Sequence, residues 1–555
     1  MNDAKELTIE VRDMTCDHCE RTVTKALLSV PGVKEVLEVN HPGAFARVRA
    51  GPETTATRIE SAVAKAGYGA RVRAEPPASR AAAVISRGGG EFDLAIVGGG
   101  SAGFAAAIKA AELGARVAIA EGGTLGGTCV NVGCVPSKTL IRAAETQHRR
   151  VHHGFRGIPT RDGGPDWAAV RGQKDELVSE LRQTKYWNVM RSYPAVTLFA
   201  QCAEITDGHS VRLADGHTIT AGKIVVTTGA SPWAPPIPGL AQAGYLDNSS
   251  AMALERLPQS LIVIGGSAVG LELAQMFARL GVRLTVLEAL PRVVPAEDAD
   301  IGNALADYLR SEGLDVYTDV RVDRVRTSSD GCEVKYHAGS AARIARAGQL
   351  LVATGRRANT AGFGLDTIGV TLGTKGEIVV DEFLQTTNPN VYAAGDVIGD
   401  PMFVYVAAHA GALAAENALT GNERRYDLSA LPKVTFTDPA VASVGLTEDQ
   451  ARAQGIEPLA SKLPLEHLPR ALAARDTRGF VKLVADAGTK TMIGAHILAA
   501  EAGEMITEST LAIKFGLTIE DLTSTFHPYL TLSEGVKLAA QTFTKDVAKL
   551  SCCAA

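Results

Sequence analysis

The fold of this chain is decided by residues 92–121, FDLAIVGGGSAGFAAAIKAAELGARVAIAE. An apolar run leads into the glycine pattern G-x-G-x-x-G, then into an alanine-rich stretch and a second apolar run that ends in Glu121. Strand, turn, helix and strand in this order are typical of a Rossmann-like dinucleotide-binding unit. Gly98 permits the tight turn, Gly100 lets a pyrophosphate approach the backbone, and Gly103 lets helix and strand pack closely. The Glu121 carboxylate is placed to accept hydrogen bonds from a ribose.

The same pattern returns at residues 260–288, SLIVIGGSAVGLELAQMFARLGVRLTVLE. Gly265, Ser267 and Gly270 occupy the three positions, so a serine replaces the middle glycine, while Gly266 keeps the turn permissive. Two such units in one chain predict an α/β protein with two Rossmann-like domains and two dinucleotide sites.

The second strand of the later unit ends in Glu288. A carboxylate there repels a 2′-phosphate, which favours NADH over NADPH. Arg292, four residues further on, offers a positive charge that can offset this effect. The choice between the two nicotinamides therefore stays open.

Composition excludes several classes of protein. The chain has 555 residues, a formal net charge of −5 and 46% hydrophobic residues, which fits several globular domains and gives no reason to expect nucleic acid as a partner. No apolar run reaches the ~18–20 residues of a membrane span, and the N-terminus MNDAKELTIEVRDM lacks the features of a secretory signal. We therefore expect a cytoplasmic protein without stable membrane insertion.

Six of the eight cysteines fall in three close pairs. The eight are Cys16, Cys19, Cys129, Cys134, Cys202, Cys332, Cys552 and Cys553. In a cytosolic chain, paired cysteines indicate metal binding or redox chemistry more often than structural disulfides. For the two single residues, Cys202 and Cys332, we expect small core positions.

Cys129 and Cys134 lie in GGTCVNVGCVPSK (126–138). Their spacing is close to one helical turn and predicts a shared helix start at which the two sulfur atoms can meet. A helix N-terminus lowers the pKa of a thiol and raises the thiolate fraction. The motif predicts a redox-active pair; two buried apolar cysteines are the alternative.

Together, the glycine turns and the cysteine pair resemble the pyridine nucleotide–disulfide oxidoreductase family over residues 92–546. The resemblance implies FAD in the first dinucleotide site, NADH or NADPH in the second, and an α+β dimerisation domain at the C-terminus. It implies that Cys129 exchanges with substrate and that Cys134 lies against the flavin as a charge-transfer thiolate. Lys138 and Glu272 would pair beside the reactive nitrogen of the flavin. Further flavin contacts implied by the resemblance are Gly123, Thr128, Ala203, Asp396 and Val404.

The C-terminal site distinguishes members of this family. Members that reduce disulfides carry His-Pro-x-x-x-Glu, whereas this chain has FHPYLTLSEG (526–535). If Glu534 matches the glutamate, Tyr529 stands where the histidine is expected, and tyrosine with a pKa of about 10 is a poor acid near neutrality. A shifted alignment that places His527 in the site remains the alternative. In the family members that reduce Hg(II), a tyrosine stands at this place, and by resemblance Tyr186 and Tyr529 flank the metal.

The chain ends in KLSCCAA. Adjacent Cys552 and Cys553 on a tail form an accessible pair of soft ligands. By the same resemblance, this tail delivers Hg(II) as a thiolate complex to Cys129 and Cys134 of the partner subunit in a homodimer.

Residues 1–70 read as a small independent unit. Strand-like and helix-like runs alternate as βαββα, with RVRA (71–74) as a possible last strand, and predict a ferredoxin-like βαββαβ domain. Residues 71–90 are rich in Ala, Arg, Pro, Ser and Gly and predict a flexible linker.

The pair Cys16 and Cys19 in DMTCDHC (13–19) follows the first strand of this unit. Two thiolates suit a linearly coordinated soft metal, whereas zinc would need four ligands and only His18 is nearby. The segment resembles the heavy-metal-associated domain, with Asp13 in place of a glycine of its motif.

These observations predict an FAD- and NAD(P)H-dependent enzyme that reduces Hg(II) to Hg(0). The alternatives are a disulfide reductase of the same family and a metal-binding chaperone. The expected domains are a heavy-metal-associated domain (1–70), a linker (71–90), an FAD-binding domain in two parts (91–238 and 357–430), an NAD(P)H-binding domain (239–356), a dimerisation domain (431–546) and a metal-binding tail (547–555).

Overall fold

A computed structural model describes residues 5–12, 14, 17–41, 45–51, 54–72, 90–160 and 163–547. The chain divides into two compact units, Met1–Val84 and Ile85–Ala555. Within the described ranges, no helix combines the length and the apolar character that crossing a membrane requires.

The first unit is a four-stranded antiparallel sheet with two helices. Its elements are β1 (Lys5–Arg12), α1 (Asp17–Leu28), β2 (Val33–Asn40), β3 (Phe45–Ala50), α2 (Ala56–Lys65) and β4 (Gly69–Val72). The strand order β2-β3-β1-β4 confirms the predicted ferredoxin-like fold, with the last strand two residues earlier than expected. Helix α2 turns Ile59 and Val63 into the core, as the spacing of apolar residues on one helical face requires. Most of the predicted linker, residues 73–89, lies outside the described residues.

The second unit begins with the first glycine-turn domain. Its elements are β5 (Phe92–Val97), α3 (Ser101–Glu112), β6 (Val117–Ala120), α4 (Gly127–Val132), α5 (Cys134–Arg149), α6 (Trp167–Leu181), α7 (Asn188–Arg191), β7 (Val196–Phe199), β8 (Ala203–Asp207), β9 (Ser210–Leu213), β10 (Thr218–Val226) and β11 (Ala230–Pro232). A π-helical turn, Arg182–Trp187, joins α6 to α7. All six residues of β5 are buried, as expected for a central strand of a parallel sheet with both faces covered.

The second glycine-turn domain follows in the chain. Its elements are α8 (Leu240–Ala243), α9 (Asn248–Met252), β12 (Ser260–Ile264), α10 (Ala268–Arg279), β13 (Arg283–Leu287), α11 (Ala299–Ser311), β14 (Asp315–Tyr317), β15 (Val320–Ser328), β16 (Gly331–Ala338), β17 (Ala341–Ala347) and β18 (Gln349–Val352). Strands β14-β13-β12-β18 form a parallel sheet, and β15-β16-β17 form an antiparallel meander. The two predicted Rossmann-like units are therefore confirmed.

The chain then returns to the first domain through β19 (Arg356–Ala358), β20 (Val391–Ala393) and α12 (Val404–Thr420). Strand β20 pairs in parallel with β10, at the centre of the first sheet. A Cβ atom at Gly411 would lie 2.0 Å from the Ala102 carbonyl oxygen, so glycine permits α12 to pack directly on α3. This return brings the segment around Asp396 to the first glycine turn.

The C-terminal part is an α+β domain. Its elements are β21 (Lys433–Thr435), β22 (Ala440–Gly445), α13 (Glu448–Ala453), β23 (Pro458–Pro464), α14 (Pro469–Ala474), β24 (Phe480–Asp486), β25 (Met492–Ala499), α15 (Ala502–Lys514), α16 (Ile519–Ser524) and α17 (Glu534–Gln541). An antiparallel sheet of order β21-β22-β25-β24-β23 packs against the helices around its own apolar core.

The first unit has a core of its own, built only from residues within 7–72. We therefore expect deletion of residues 1–84 to leave the thermal unfolding midpoint of the second unit within about 2 °C of its value in the full chain. Calorimetry of the two proteins measures the difference. A fall of many degrees, or insolubility of the shortened chain, would contradict the independence of the two units.

Candidate active site

The first glycine turn has the geometry that its sequence predicts. Gly98 has a φ of +109°, and a Cβ atom there would lie 2.4 Å from the Thr227 carbonyl oxygen. A Cβ atom at Gly103 would lie 1.9 Å from the Gly98 carbonyl oxygen, so close packing of strand and helix requires glycine there too. At Gly100, by contrast, the nearest atom would be 3.7 Å away, which leaves that backbone open to a ligand.

Glu121 is held at the end of β6 by two backbone amides. The Gly99 and Gly123 N–H groups each donate to its carboxylate at 2.6 Å. The carboxylate lines the same cavity as the glycine turn, where its remaining lone pairs can accept from a ribose.

This cavity has a volume of about 770 Å³ and collects most of the residues predicted for the first site. Those on its wall are Gly98, Gly100, Glu121, Gly123, Thr128, Cys129, Cys134, Lys138, Ala203, Glu272, Asp396 and Val404. An open backbone at Gly100, the N-terminus of α3 and a fixed carboxylate fit the pyrophosphate and ribose of a dinucleotide. The residues present therefore fit FAD.

Arg356 is a cavity residue that the sequence reasoning missed. Its guanidinium donates to the Ala230 carbonyl oxygen, while its Nε lies 3.9 Å from the Asp396 carboxylate, too far for a hydrogen bond. Arg356 Nε is buried and has no hydrogen-bond partner within the described parts of the chain. Burial raises the pKa of Asp396. An unpaired buried N–H on the cavity wall is costly and supports a ligand with acceptor oxygens here. No local feature of the sequence signals this role.

The two cysteines do not share one helix, so that prediction was wrong. Cys129 lies in α4, and Cys134 begins α5. Between them, Gly133 has φ −126° and ψ −114°, which ends α4, and a Cβ atom there would lie 2.9 Å from the Thr128 carbonyl oxygen. The break places Cys134 at a helix N-terminus of its own.

The thiols of this pair ionise differently. A hydrogen bond from Cys129, and next the positive charge of Lys138, lower the pKa of Cys134 to about 7 against the effect of burial. The same hydrogen bond and burial raise the pKa of Cys129. With this pKa, roughly half of Cys134 is thiolate at pH 7 while Cys129 stays a thiol, in keeping with the different roles predicted for them.

Lys138 and Glu272 form the predicted ion pair. Lys138 Nζ donates to Glu272 Oε2 at 2.7 Å, and the Glu272 side chain is only 6% exposed. Glu272 lies on α10, the helix that follows the second glycine turn. The ion pair thus connects α5, which begins at Cys134, to α10 of the second glycine turn.

The second glycine turn reproduces the first. Cβ atoms at Gly265 and Gly270 would lie 2.3 Å from the Ala353 carbonyl oxygen and 2.0 Å from that of Gly265. Ser267 has φ −96° and ψ −173°, an extended conformation that any residue adopts, which explains why a serine can replace the middle glycine. Glu288 is buried and accepts hydrogen bonds from the Gly266 and Leu290 N–H groups at 2.5 and 2.8 Å, as Glu121 does in the first unit.

Tyr186 lies on the π-helical turn that follows α6. Its ring packs on Phe104 with centroids 4.9 Å apart, and a Cβ atom at Gly126 would touch it at 3.4 Å. Burial raises its pKa, and both cysteines add to this electrostatically. Arg182 Nε donates to Asn131 Oδ1 at 2.7 Å, which fastens the π-helical turn to α4. No motif in the sequence indicates this turn or its hydrogen bond to α4.

The C-terminal segment lies apart from this cavity within one chain. Tyr529 is 54% exposed and does not line the cavity among the described residues. The His527 side chain is only 4% exposed and pairs with Glu508, which raises the pKa of His527. Glu534 accepts a hydrogen bond from the Leu530 N–H at 3.2 Å.

The predictions for the remaining cysteines were confirmed only in part. Cys332 is buried as predicted, but Cys202 is exposed and lies on the cavity wall, so the expectation of a core position was wrong for it. Cys19 is buried on α1, whereas Cys16, Cys552 and Cys553 lie outside the described residues. In the part of the chain that the structure describes, no cluster of three or more His, Cys, Asp or Glu is arranged to hold a metal.

Comparison with known proteins agrees with this site. Residues 92–411 match the pyridine nucleotide-disulphide oxidoreductase family, residues 431–540 its dimerisation domain, and residues 8–69 the heavy-metal-associated domain. The chain therefore belongs to the pyridine nucleotide-disulphide oxidoreductase family, whose members use FAD and NAD(P)H.

Its full-length relatives are mercuric reductases. The chain is 43% identical to one from Staphylococcus aureus over 98% of each chain, and 48% identical to one from Streptomyces lividans over 83% of this chain and 98% of the other. Among solved structures, it is similar to the flavoprotein disulfide reductase RclA from Escherichia coli, with a TM-score of 0.73 and 31% identity over 81% of this chain and 99% of that one.

We expect the thiol of Cys134 to ionise near pH 7 in the reduced protein, and this ionisation to be absent in Cys134→Ser. Cys129→Ala removes the hydrogen bond that lowers the Cys134 pKa most, and Lys138→Met removes the positive charge, so each shifts this ionisation to higher pH. Ultraviolet absorbance of the thiolate against pH, taken as the difference from Cys134→Ser, measures the shift. Cys332→Ala serves as the control that removes a thiol elsewhere. If neither Cys129→Ala nor Lys138→Met moves the midpoint, the assignment of the thiolate is wrong.

Proposed function

We propose that this chain reduces Hg(II) to Hg(0) at Cys129 and Cys134 with electrons from NAD(P)H, in the cytoplasm. The observation that carries the proposal is a pair of hydrogen-bonded cysteines, Cys129 and Cys134, on the wall of a dinucleotide cavity, with Lys138 beside them. The mercuric reductase relatives over nearly the full chain support Hg(II) as the substrate.

The cysteine pair can take Hg(II) without releasing the bare ion. Cys129, the cysteine predicted to exchange with substrate, bonds to a complex of Hg(II) with two small thiolates, and its proton passes to the first departing thiolate, which leaves as a thiol. The Cys134 thiolate then bonds to the metal and displaces the second small thiolate. Flavin bound in this cavity, once reduced by NAD(P)H, would supply the two electrons that convert the metal to Hg(0) and leave two cysteine thiolates. Soft thiolates favour a soft metal ion, so the donor set fits the substrate.

Three further residues prepare this site. Lys138 places a positive charge near Cys134 and thereby stabilises the thiolate. Glu272 binds the lysine ammonium and keeps it on the cavity wall. Tyr186, beside the start of α4, borders the same region and can orient the metal through its hydroxyl group.

A disulfide reductase is the second candidate, and the C-terminal segment argues against it. Reduction of a disulfide needs an acid that titrates near neutrality. The His527 side chain packs against α15 and pairs with Glu508, whereas Tyr529 is exposed. A tyrosine with an ordinary pKa of about 10 does not serve that purpose.

The nicotinamide site lies at the second glycine turn. Glu288 is fixed there by two backbone amides in the same way as Glu121. We infer that it accepts hydrogen bonds from a ribose and makes NADH competitive with NADPH, with Arg292 available to offset the charge of a 2′-phosphate.

The function is tested by stopped-flow oxidation of NADPH and of NADH, with Hg(II) in excess small thiol and separately with oxidised glutathione. We expect oxidation that depends on Hg(II), release of Hg(0) into the gas phase and little turnover with the disulfide. The double variant Cys129→Ala/Cys134→Ala should be inactive. Turnover that depends on the disulfide, falls in His527→Ala and yields no Hg(0) would favour the alternative.

We further propose a homodimer in which each active site is completed by the partner. The dimerisation domain and the exposure of Tyr529 support this arrangement. Cys552 and Cys553 would carry Hg(II) to the Cys129/Cys134 pair of the other chain, and Cys16 and Cys19 would load the metal upstream.

Mixed dimers test the shared site. Coexpression of Cys129→Ala/Cys134→Ala with Cys552→Ala/Cys553→Ala creates hybrids that contain one complete site across the interface. We expect recovered activity with tightly thiol-chelated Hg(II). Hybrids as inactive as both parents would mean that the tail serves its own chain.

A further inference from the structure

The ion pair of Lys138 and Glu272 needs a third group to fix the lysine. A lysine ammonium is a point charge on a flexible four-carbon stem, so a single carboxylate leaves it several positions. The Lys138 side chain is 31% exposed, and solvent therefore competes for its donors. Its place matters because its charge stabilises the thiolate of Cys134.

Phe436 contacts both members of this ion pair. It follows β21, at the start of the dimerisation domain. Its backbone N–H donates to Glu272 Oε1 at 2.8 Å, so the two oxygens of that carboxylate are shared between Phe436 and Lys138. Lys138 Nζ also lies 4.6 Å from the centroid of the Phe436 ring, within the range of a cation–π interaction.

The loop that carries Phe436 is itself held in place. Gln275 exchanges two hydrogen bonds with the backbone of Asp438, each of 2.8 Å, and Arg279 donates to the Asp438 carboxylate at 2.8 Å. Gln275 and Arg279 lie on α10, as Glu272 does, and Gln275 is 4% exposed. One face of α10 thus binds the loop from Phe436 to Asp438, so the position of Phe436 is determined by buried contacts.

Burial in an apolar core does not explain why an aromatic residue stands at position 436. The residue is 42% exposed, unlike the buried aromatic residues of this fold. A large apolar ring left partly in water is uninformative alone, but this one lies against Lys138, which is the only charged partner of Glu272 within the described residues. Its removal should not leave a cavity.

We propose that Phe436 is a positioning residue for the redox centre: its backbone orients Glu272 and its ring holds the Lys138 ammonium beside Cys134. The dimerisation domain thereby acts on the cysteine pair from within the same chain. The inference rests on the flavin and thiol chemistry of the proposed function but not on Hg(II) as the substrate.

The test compares Phe436→Leu with Phe436→Tyr in the holoenzyme, without Hg(II). Phe436→Leu keeps the backbone N–H and removes the ring, whereas Phe436→Tyr keeps an aromatic face. We expect Phe436→Leu to slow flavin reduction by NADPH about two- to fivefold, the ratio that corresponds to a cation–π contact at a partly exposed site, and to weaken the long-wavelength thiolate–flavin absorbance at neutral pH. Phe436→Tyr should retain both, and the KM for NADPH should stay unchanged in each.

A double-mutant cycle with Lys138→Met separates this role from a structural one. Once the ammonium is absent, Phe436→Leu should have no further effect on the absorbance. Additive effects, an equal loss in Phe436→Tyr, or wild-type behaviour of Phe436→Leu would each overturn the inference. Absence of the absorbance in the wild-type enzyme would instead contradict the flavin and thiol chemistry of the proposed function.

Discussion

A negative charge on Cys134 is the feature on which the rest of this site depends. Burial opposes that charge, and it is stabilised by the hydrogen bond from Cys129 and the ammonium of Lys138. Each stabilising group needs its own support. The break at Gly133 brings Cys129 against Cys134, and Glu272 on the neighbouring helix holds Lys138. The charge on this one sulfur atom therefore depends on residues from both dinucleotide-binding domains and from one loop of the dimerisation domain.

The glycine turns were the most predictable part of the structure. At Gly98 and Gly265 a positive φ and a carbonyl oxygen within 2.4 Å of a Cβ position exclude other residues, so the sequence pattern has only one physical meaning. The ferredoxin-like unit followed from alternating apolar residues, and the Lys138–Glu272 pair followed from family resemblance. These features depend on local backbone geometry or on a specific motif.

The rest depended on contacts between distant segments. The spacing of Cys129 and Cys134 favoured a single helix. The break between them depends on the close approach of Gly133 to the Thr128 carbonyl oxygen, and the spacing contains no information about that contact. We predicted a core position for Cys202 from the sequence. It lies on the cavity wall instead, because Gly122 has no side chain and leaves room for the Cys202 sulfur. Arg356, the π-helical turn and the reach of Phe436 across 298 positions to Lys138 carry no local signature. Tyr529 does not line the cavity of its own chain, and the proposed completion of a partner's site concerns contacts that no pattern within one chain defines.

The most direct measurement is the absorbance spectrum of the flavin-loaded protein after anaerobic two-electron reduction, in the wild type and in Cys134→Ser. If a Cys134 thiolate lies against FAD, the wild type develops a long-wavelength thiolate–flavin band and Cys134→Ser does not. An unchanged band in Cys134→Ser would contradict the account, because the charge on which the site is built would then reside on another group.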